Sequence, residues 1–326
     1  MAHDSVDKNN MIRSIEDFPS QCRTALELTK GISVQGDVKN IVVSGMGGSG
    51  IAGDLLKAYL RNSKIPVHVS KDYKLPEFVD SSTLVFAISY SGNTEETIIS
   101  YEDAVRRKAK VVAISSGGRL AEICKRTIRV PPGYQPRAAL GFLFFPMVGV
   151  LSNMNLAREE SEEIIEAINI IENSEEYEKE AQAIAKSIKN RTVLLYSSND
   201  FSSASYRWKC QINENSKMPA FCNSIPEMNH NEIAGYQSMD RTSFAAIFLR
   251  DNMEDEKTKK KMEITRKIVE TKVDSITVFS KGNSFLARML SLIHLGDFVS
   301  YYLAVDNKTD PTPVHVIESL KREIKE

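Results

Sequence analysis

Short apolar runs alternate with segments of helical spacing throughout the first half of the sequence. Apolar runs of this length between amphipathic helices are typical of buried parallel strands joined by right-handed crossovers. The pattern therefore predicts a doubly wound α/β domain. The predicted strands are residues 40–44, 66–69, 83–89, 110–115 and 127–130, and the predicted helices are residues 51–60, 94–108 and a segment beginning at 120.

The second half repeats this rhythm less regularly. A segment rich in Glu and Lys, residues 158–190, has apolar residues at helical spacing and predicts two solvated helices. Because 326 residues suit two domains of about 150 residues each, we expect domains at 1–155 and 156–326. The predicted strands of the second half are residues 192–196, 243–250 and 275–279, and its predicted helices include 206–214, a charged helix between the last two strands, and 285–303.

The overall composition predicts no nucleic-acid or membrane partner. The 42 basic and 43 acidic residues nearly cancel. The four cysteines show neither a CxxC pair nor zinc spacing, which favours reduced thiols in a cytoplasmic protein and no metal. The most apolar stretch, residues 138–151, contains Pro146 and is too short to span a bilayer, so we expect a buried helix there.

The first loop, residues 45–50, reads GMGGSG and fits the spacing GxGxxG. It follows a predicted strand and opens a predicted helix, and Asp72 lies near the distance expected of a ribose-binding acid. Glycines allow a tight turn, and N–H groups at a helix start attract anions. This loop alone is compatible with a dinucleotide site, a single-phosphate site or a turn without a ligand.

The second loop, residues 89–94, reads SYSGNT and follows the third predicted strand. A helix-capping role for Thr94 would explain one hydroxyl but not three hydroxyls around a glycine turn. A dinucleotide fold does not need a second phosphate-binding loop. A single phosphate held between two neighbouring strand–helix turns does need both loops. Hydrogen bonds to a charged group contribute about 1.5–3 kcal/mol each, so hydroxyls and amides suffice without a lysine. The predicted phosphate ligands are Gly47, Gly48, Ser49, Ser89, Ser91 and Thr94.

Together, the first loop and the sequence SYSGNTEET at residues 89–97 resemble the SIS (sugar isomerase) domain. Four further segments and a C-terminal Leu-Lys pair resemble the bifunctional phosphoglucose/phosphomannose isomerases of archaea and some bacteria. The resemblance implies two tandem SIS-type domains with parallel sheets flanked by helices. The segments are residues 136–140, 213–217, 229–232 and 310–313, and the pair is residues 320–321.

That resemblance also implies a function. It implies cofactor-independent interconversion of glucose 6-phosphate and mannose 6-phosphate with fructose 6-phosphate, in glycolysis and gluconeogenesis. Glu214 corresponds to the catalytic base, His230 and Lys321 to residues that assist ring opening, and Arg137 to the residue that stabilises the enediolate. Thr312 is expected to shape the space around C2 and C3. A homodimer is implied, with His230 contributed by the neighbouring subunit.

The residues themselves agree with these roles. Glu214 is flanked by uncharged Asn213 and Asn215, so no adjacent charge neutralises it. Arg137 follows Pro136 at the start of a predicted helix, where the helix dipole disfavours a cation. This placement is more favourable if an anion shares the site. Aldose–ketose isomerisation needs one carboxylate base, a stabiliser of negative charge and an acid–base group for ring opening.

One departure from the family pattern concerns the histidine. Some members have His-His-Asn where this chain has Asn229 before His230, so His230 is the only candidate at that place. Imidazole is suited to proton transfer near neutral pH. We expect structural roles for His68, His294 and His315.

Three other functions remain as alternatives. A non-catalytic SIS protein that senses a sugar phosphate would share the two loops, and so would an amino-sugar phosphate isomerase. A dinucleotide-dependent oxidoreductase is disfavoured by the second loop.

Overall fold

The computed structural model describes residues 5–157 and 161–324. The chain forms two compact units: an N-terminal unit, Asp17–Asn169, and a C-terminal unit, Met1–Glu16 with Ile170–Glu326. The observed break therefore falls at 169/170, whereas the sequence predicted 155/156. The start of the chain joins the C-terminal unit because helix α1 (Met11–Glu16) packs against helix α11 (Phe285–Asp306). Residues 158–160, at the start of the predicted charged helices, lie outside the described residues.

The N-terminal unit contains a five-stranded sheet in which every pairing is parallel. All six residues of the third strand are buried, as expected for a strand covered by helices on both faces. The strand order is β2-β1-β3-β4-β5. The strands are β1 (Asn40–Ser44), β2 (Val67–Ser70), β3 (Thr83–Ile88), β4 (Lys110–Ser115) and β5 (Thr127–Arg129).

Helices connect β1 to β2, β3 to β4 and β4 to β5, whereas residues 71–82 join β2 to β3 without a helix. The longest apolar one, α6, is buried along Leu140 to Leu151, which confirms the prediction of a buried helix there. Among the described residues, no helix is long and apolar enough to span a membrane. The helices of this part of the chain are α2 (Phe18–Glu27), α3 (Gly48–Tyr59), α4 (Glu95–Arg106), α5 (Gly118–Ile123), α6 (Leu140–Asn153) and α7 (Ser161–Ile170).

The C-terminal unit repeats the architecture with a four-stranded parallel sheet in the order β7-β6-β8-β9. The edge strand β7 was not predicted from the sequence. The strands are β6 (Thr192–Ser198), β7 (Ala220–Ile225), β8 (Phe244–Arg250) and β9 (Asp274–Phe279). The remaining helices are α8 (Ser174–Ile188), α9 (Ser202–Asn215), α10 (Glu256–Glu270) and α12 (His315–Glu323).

Helices α9 and α11 pack together through a buried polar contact as well as apolar side chains. The Arg207 guanidinium donates two hydrogen bonds to the Asp297 carboxylate, at 3.0 and 2.7 Å, and Gln211 donates a third at 2.9 Å. All three side chains are buried. A buried ion pair is tolerated when its members are hydrogen-bonded in this way, and here it fixes the register between the two helices.

Candidate active site

The strand order of the N-terminal unit indicates where a ligand would bind. In a parallel sheet ordered 2-1-3-4-5, the direction in which successive strands are added reverses between β1 and β3, and ligands of such folds bind outside the carboxyl ends of those two strands. The first loop follows β1 and the second loop follows β3. The two predicted phosphate loops therefore lie side by side at this switch point. The order also differs from the 3-2-1-4-5-6 order of the dinucleotide fold.

Glycines are required in the first loop by a positive φ at one position and by close backbone approaches at two others. Gly47 has a φ of 53°, a conformation that favours glycine. A Cβ atom on Gly48 would lie 2.8 Å from the carbonyl oxygen of Pro136. One on Gly50 would lie 2.7 Å from the carbonyl oxygen of Gly45. The loop therefore turns tightly into α3, whose first N–H groups are suited to an anion.

In the second loop, the Ser89 hydroxyl organises the turn from inside. It accepts the N–H groups of Gly92 at 3.1 Å and Thr94 at 3.4 Å, and it lies 2.8 Å from the Thr94 hydroxyl. Thr94 is the N-cap residue of α4, but its side chain makes no capping bond there. Ser89 is buried, whereas Ser91 is exposed and accepts the N–H of Asn93 at 3.3 Å. The Ser89 hydroxyl therefore shapes the loop, whereas the Ser91 side chain is exposed to solvent.

Tyr90 connects the second loop to the segment that carries Arg137, a role that the sequence did not indicate. Its hydroxyl donates to the Pro131 carbonyl at 2.8 Å and accepts the Tyr134 N–H at 3.0 Å. Burial raises the pKa of Tyr90, so the hydroxyl stays protonated and can donate its hydrogen bond to Pro131. The partners lie more than forty residues away along the chain, so no local pattern could have revealed this contact.

Arg137 lies at the same switch point as the two loops. It is buried, in a 3-10 helix (Pro136–Ala138) that precedes α6. A Cβ atom on Gly48 would lie 3.2 Å from the Cα atom of Arg137, so the arginine backbone abuts the first loop. Gln21 steadies this turn by donating to the Ala138 carbonyl at 2.8 Å.

Glu214, the predicted base, lies in the last turn of α9 in the C-terminal unit, and its side chain is half-buried. Its neighbour Asn215 donates to the Ser300 hydroxyl at 2.9 Å, and Ser216 donates to the Ser300 carbonyl at 2.6 Å. Asn213 donates to the Met218 carbonyl at 2.8 Å. The residues on both sides of Glu214 are therefore anchored, which fixes the backbone that carries the carboxylate.

The turn at residues 310–312 is attached to the same end of α9. Lys217 Nζ donates to the carbonyl oxygens of Asp310 at 2.8 Å and Pro311 at 3.2 Å. The Asp310 carboxylate accepts the Thr312 N–H at 2.9 Å, and Thr312 is buried. The C-terminal unit thus brings together two segments that lie about a hundred residues apart, one with Glu214 and one with Thr312.

His230 and Lys321 lie on other elements of the C-terminal unit. His230 ends a short 3-10 helix (Glu227–His230) and is exposed. Lys321 is exposed on α12, none of whose residues is buried. Among residues 5–157 and 161–324, no group of three or more His, Cys, Asp or Glu side chains could hold a metal ion.

The fold and the two loops define a protein with tandem SIS-type domains. A SIS domain family matches residues 37–143, and the family of bacterial phospho-glucose isomerase C-terminal SIS domains matches residues 177–324. The solved C-terminal domain of glucosamine-fructose-6-phosphate aminotransferase from Francisella tularensis has this fold, with a TM-score of 0.75 at 16% identity, covering 92% of this chain and 97% of that one.

Two curated relatives narrow the class. A bifunctional phosphoglucose/phosphomannose isomerase from Caldicellulosiruptor bescii is 40% identical, over 97% of this chain and 99% of the relative. A D-glucosamine-6-phosphate 4-epimerase from Sulfolobus acidocaldarius is 33% identical, over 68% of this chain and 71% of the relative. The chain belongs to the bifunctional phosphoglucose/phosphomannose isomerase family.

Proposed function

We propose that this protein interconverts fructose 6-phosphate with both glucose 6-phosphate and mannose 6-phosphate. One observation carries the proposal: two glycine turns and a buried arginine meet at a single switch point, in a chain of this family. The first and second loops would hold the 6-phosphate through backbone N–H groups and hydroxyls. The loop ligands would be Gly47, Gly48, Ser49, Ser89, Ser91 and Thr94.

The reaction moves one proton between two carbons of the open-chain sugar. Glu214 would take the proton from C2 of the aldose, so that the C1 carbonyl oxygen gains negative charge in a cis-enediolate. The same carboxylate would return the proton to C1, while the C2 hydroxyl gives up its proton, the C1 oxygen takes one up, and the C2 oxygen becomes the ketone. Arg137 would stabilise the enediolate charge, because a guanidinium in a buried site interacts strongly with an anion. No metal takes part in this scheme.

Dual specificity follows from the intermediate. Glucose and mannose 6-phosphates differ only in configuration at C2, and both give the same enediolate. Rotation about C2–C3 would present either face to Glu214. Thr312, held in the turn attached to α9, would limit that rotation. His230 and Lys321 would move the proton that opens the sugar ring.

We also propose a homodimer in which His230 enters the neighbouring subunit's site. Its support is that His230 is exposed at the end of a turn, and that Phe221, on the edge strand packed against this turn, is 60% exposed. Mixing Glu214→Gln and His230→Ala subunits tests it. A shared site would restore about a quarter of wild-type activity, since half of the random dimers carry one intact site of two. If both residues act within one subunit, no activity returns.

The free thiols Cys22, Cys124, Cys210 and Cys222 support a reducing compartment, and we place the enzyme in the cytoplasm among the reactions of glycolysis and gluconeogenesis.

The second candidate function is an amino-sugar phosphate enzyme, which the epimerase relative favours. Coupled assays of glucose 6-phosphate and mannose 6-phosphate formation, run beside an assay with glucosamine 6-phosphate, separate the two. Turnover of the amino sugar alone would replace the proposal, and phosphosugar binding without turnover would identify a sensor.

A further inference from the structure

Two residues after His230, the chain turns back into the C-terminal unit at Glu232. The Tyr196 hydroxyl donates to one oxygen of the Glu232 carboxylate at 2.5 Å, and the Asn223 amide donates to the other at 2.7 Å. The Tyr196 hydroxyl also lies 2.6 Å from that of Tyr236. Both tyrosine side chains are buried. The carboxylate is therefore gripped on both oxygens by groups from two strands, β6 and β7.

The donors in this cluster keep their protons. Burial raises the pKa of Tyr196 and of Tyr236 far above the ordinary value of a phenol, and the neighbouring Glu232 acts in the same direction. Glu232 is half-buried, and taking a carboxylate even partly out of water is costly unless it is hydrogen-bonded. The roles proposed above do not include Glu232, so they do not explain why a carboxylate occupies this position.

The turn beside Glu232 supplies that reason. His230 is exposed, so few packing contacts orient its side chain. Its two neighbours are attached by their side chains. The Thr265 hydroxyl donates to Asn229 Oδ1 at 3.0 Å, and Asn231 Nδ2 donates to Glu227 at 2.9 Å. Asn231 Oδ1 in turn accepts the Glu232 N–H at 2.6 Å.

We propose that Glu232 is the positioning residue for His230. The inference rests on the proposed function, because it assumes that His230 transfers a proton during ring opening. Glu232 anchors the C-terminal end of the turn to the sheet, and Thr265 anchors the other end through Asn229. The backbone that carries the imidazole is thereby fixed at the surface of the unit, where a substrate could reach the exposed side chain. Preorganisation of this kind depends on supporting contacts behind the catalytic group.

Two variants test the proposal by different routes. Glu232→Gln replaces one acceptor oxygen by a donor that faces a donor, and Tyr196→Phe removes the shortest hydrogen bond while keeping the ring. We expect each to lower kcat by about 10- to 100-fold, the range that follows from a displacement of about 1 Å, with KM changed less than about twofold. Tyr177→Phe is the matched control, because Tyr177 is equally buried and its hydroxyl donates to the Ile170 carbonyl instead. It should leave kcat unchanged.

A double-mutant cycle shows whether Glu232 acts through His230. If it does, Glu232→Gln should have almost no further effect on kcat in a His230→Ala background. Equal losses in both backgrounds would overturn the proposal, and so would wild-type kcat in both single variants. A fall in Tm alone, with kcat intact, would assign the cluster to stability and overturn it as well. An inactive wild-type enzyme would instead remove the proposed function, a separate outcome.

Discussion

The ammonium group of Lys217 lies 2.8 Å from the carbonyl oxygen of Asp310. Lys217 follows the end of α9 with a φ of 54°, and its side chain also reaches the carbonyls of Asn215 and Pro311 at 3.2 Å. One cation therefore binds carbonyl oxygens from two segments of the C-terminal unit. It links the helix end that carries Glu214 to the turn that carries Thr312.

We expect Lys217→Met to lower kcat by about tenfold and to change the ratio of glucose 6-phosphate to mannose 6-phosphate formed, because both depend on the position of the turn relative to the base. The measurement is product partitioning from fructose 6-phosphate. Lys308→Met is the control, since Lys308 is also exposed, follows the end of α11 and has a φ of 54°. Equal behaviour of the two variants would show that the Lys217 contacts are irrelevant to the reaction.

Gly92→Ala should disrupt the second loop. Gly92 has a φ of 73°, and a Cβ atom there would lie 1.7 Å from the carbonyl oxygen of Gly117. The loop must shift, so KM for the sugar phosphate should rise at least about tenfold, equivalent to about 1.4 kcal/mol of binding. Gly31→Ala is the control that separates backbone strain from steric clash. Gly31 has the same φ of 73°, but no atom lies within 4 Å of its Cβ position. Gly31→Ala should cost about 1–2 kcal/mol of stability from the backbone conformation and leave KM unchanged. An unchanged KM in Gly92→Ala would contradict the placement of the phosphate.

His294 gives a pH dependence of stability. Burial lowers the pKa of His294 to about 3, with a contribution from Arg207. The ring packs between Tyr177 and Phe298, at 5.1 and 4.8 Å between ring centroids. Because the folded pKa lies below the unfolded one, only the unfolded state takes up the proton between about pH 6.5 and 3. The contribution to stability is present above about pH 6.5 and is lost as the pH falls through that window.

His294→Phe should therefore flatten the pH dependence of the free energy of unfolding between pH 6 and 4.5, by up to about 1.4 kcal/mol per pH unit. Urea titrations at several pH values measure the slope. His315→Gln is the control, since the His315 side chain is 82% exposed. A slope unchanged by His294→Phe would show that the histidine is protonated alike in both states.

Much of the fold could be predicted because buried parallel strands leave a clear mark in the sequence. The runs at 40–44 and 110–115 coincide with β1 and β4. Strand β7 could not be recognised, because an edge strand needs little apolar character: Phe221 is exposed, and Asn223 and Ser224 are polar. Propensity gives no signal where pairing alone defines the strand.

The site was predictable only where its residues stand in contiguous motifs. The two loops lie directly after strands, so the sequence placed them together. Tyr90, Lys217 and Glu232 each have at least one hydrogen-bond partner 36 to 94 residues away, and such contacts arise only on folding. The roles of Glu214, His230, Arg137 and Lys321 remain predictions.

In the mechanism proposed above, Glu214 moves a proton between C1 and C2 of a sugar phosphate without a metal. The most direct measurement is the rate of glucose 6-phosphate and mannose 6-phosphate formation from fructose 6-phosphate, with and without a chelator, for wild type and Glu214→Gln. We predict that wild type forms both products at rates that the chelator does not change. Glu214→Gln should bind the phosphosugar normally and lose kcat by about 10³-fold or more, since the proposed base for the C1–C2 proton transfer has been replaced by a neutral amide. Wild-type rates in Glu214→Gln, or activity abolished by the chelator, would contradict the account.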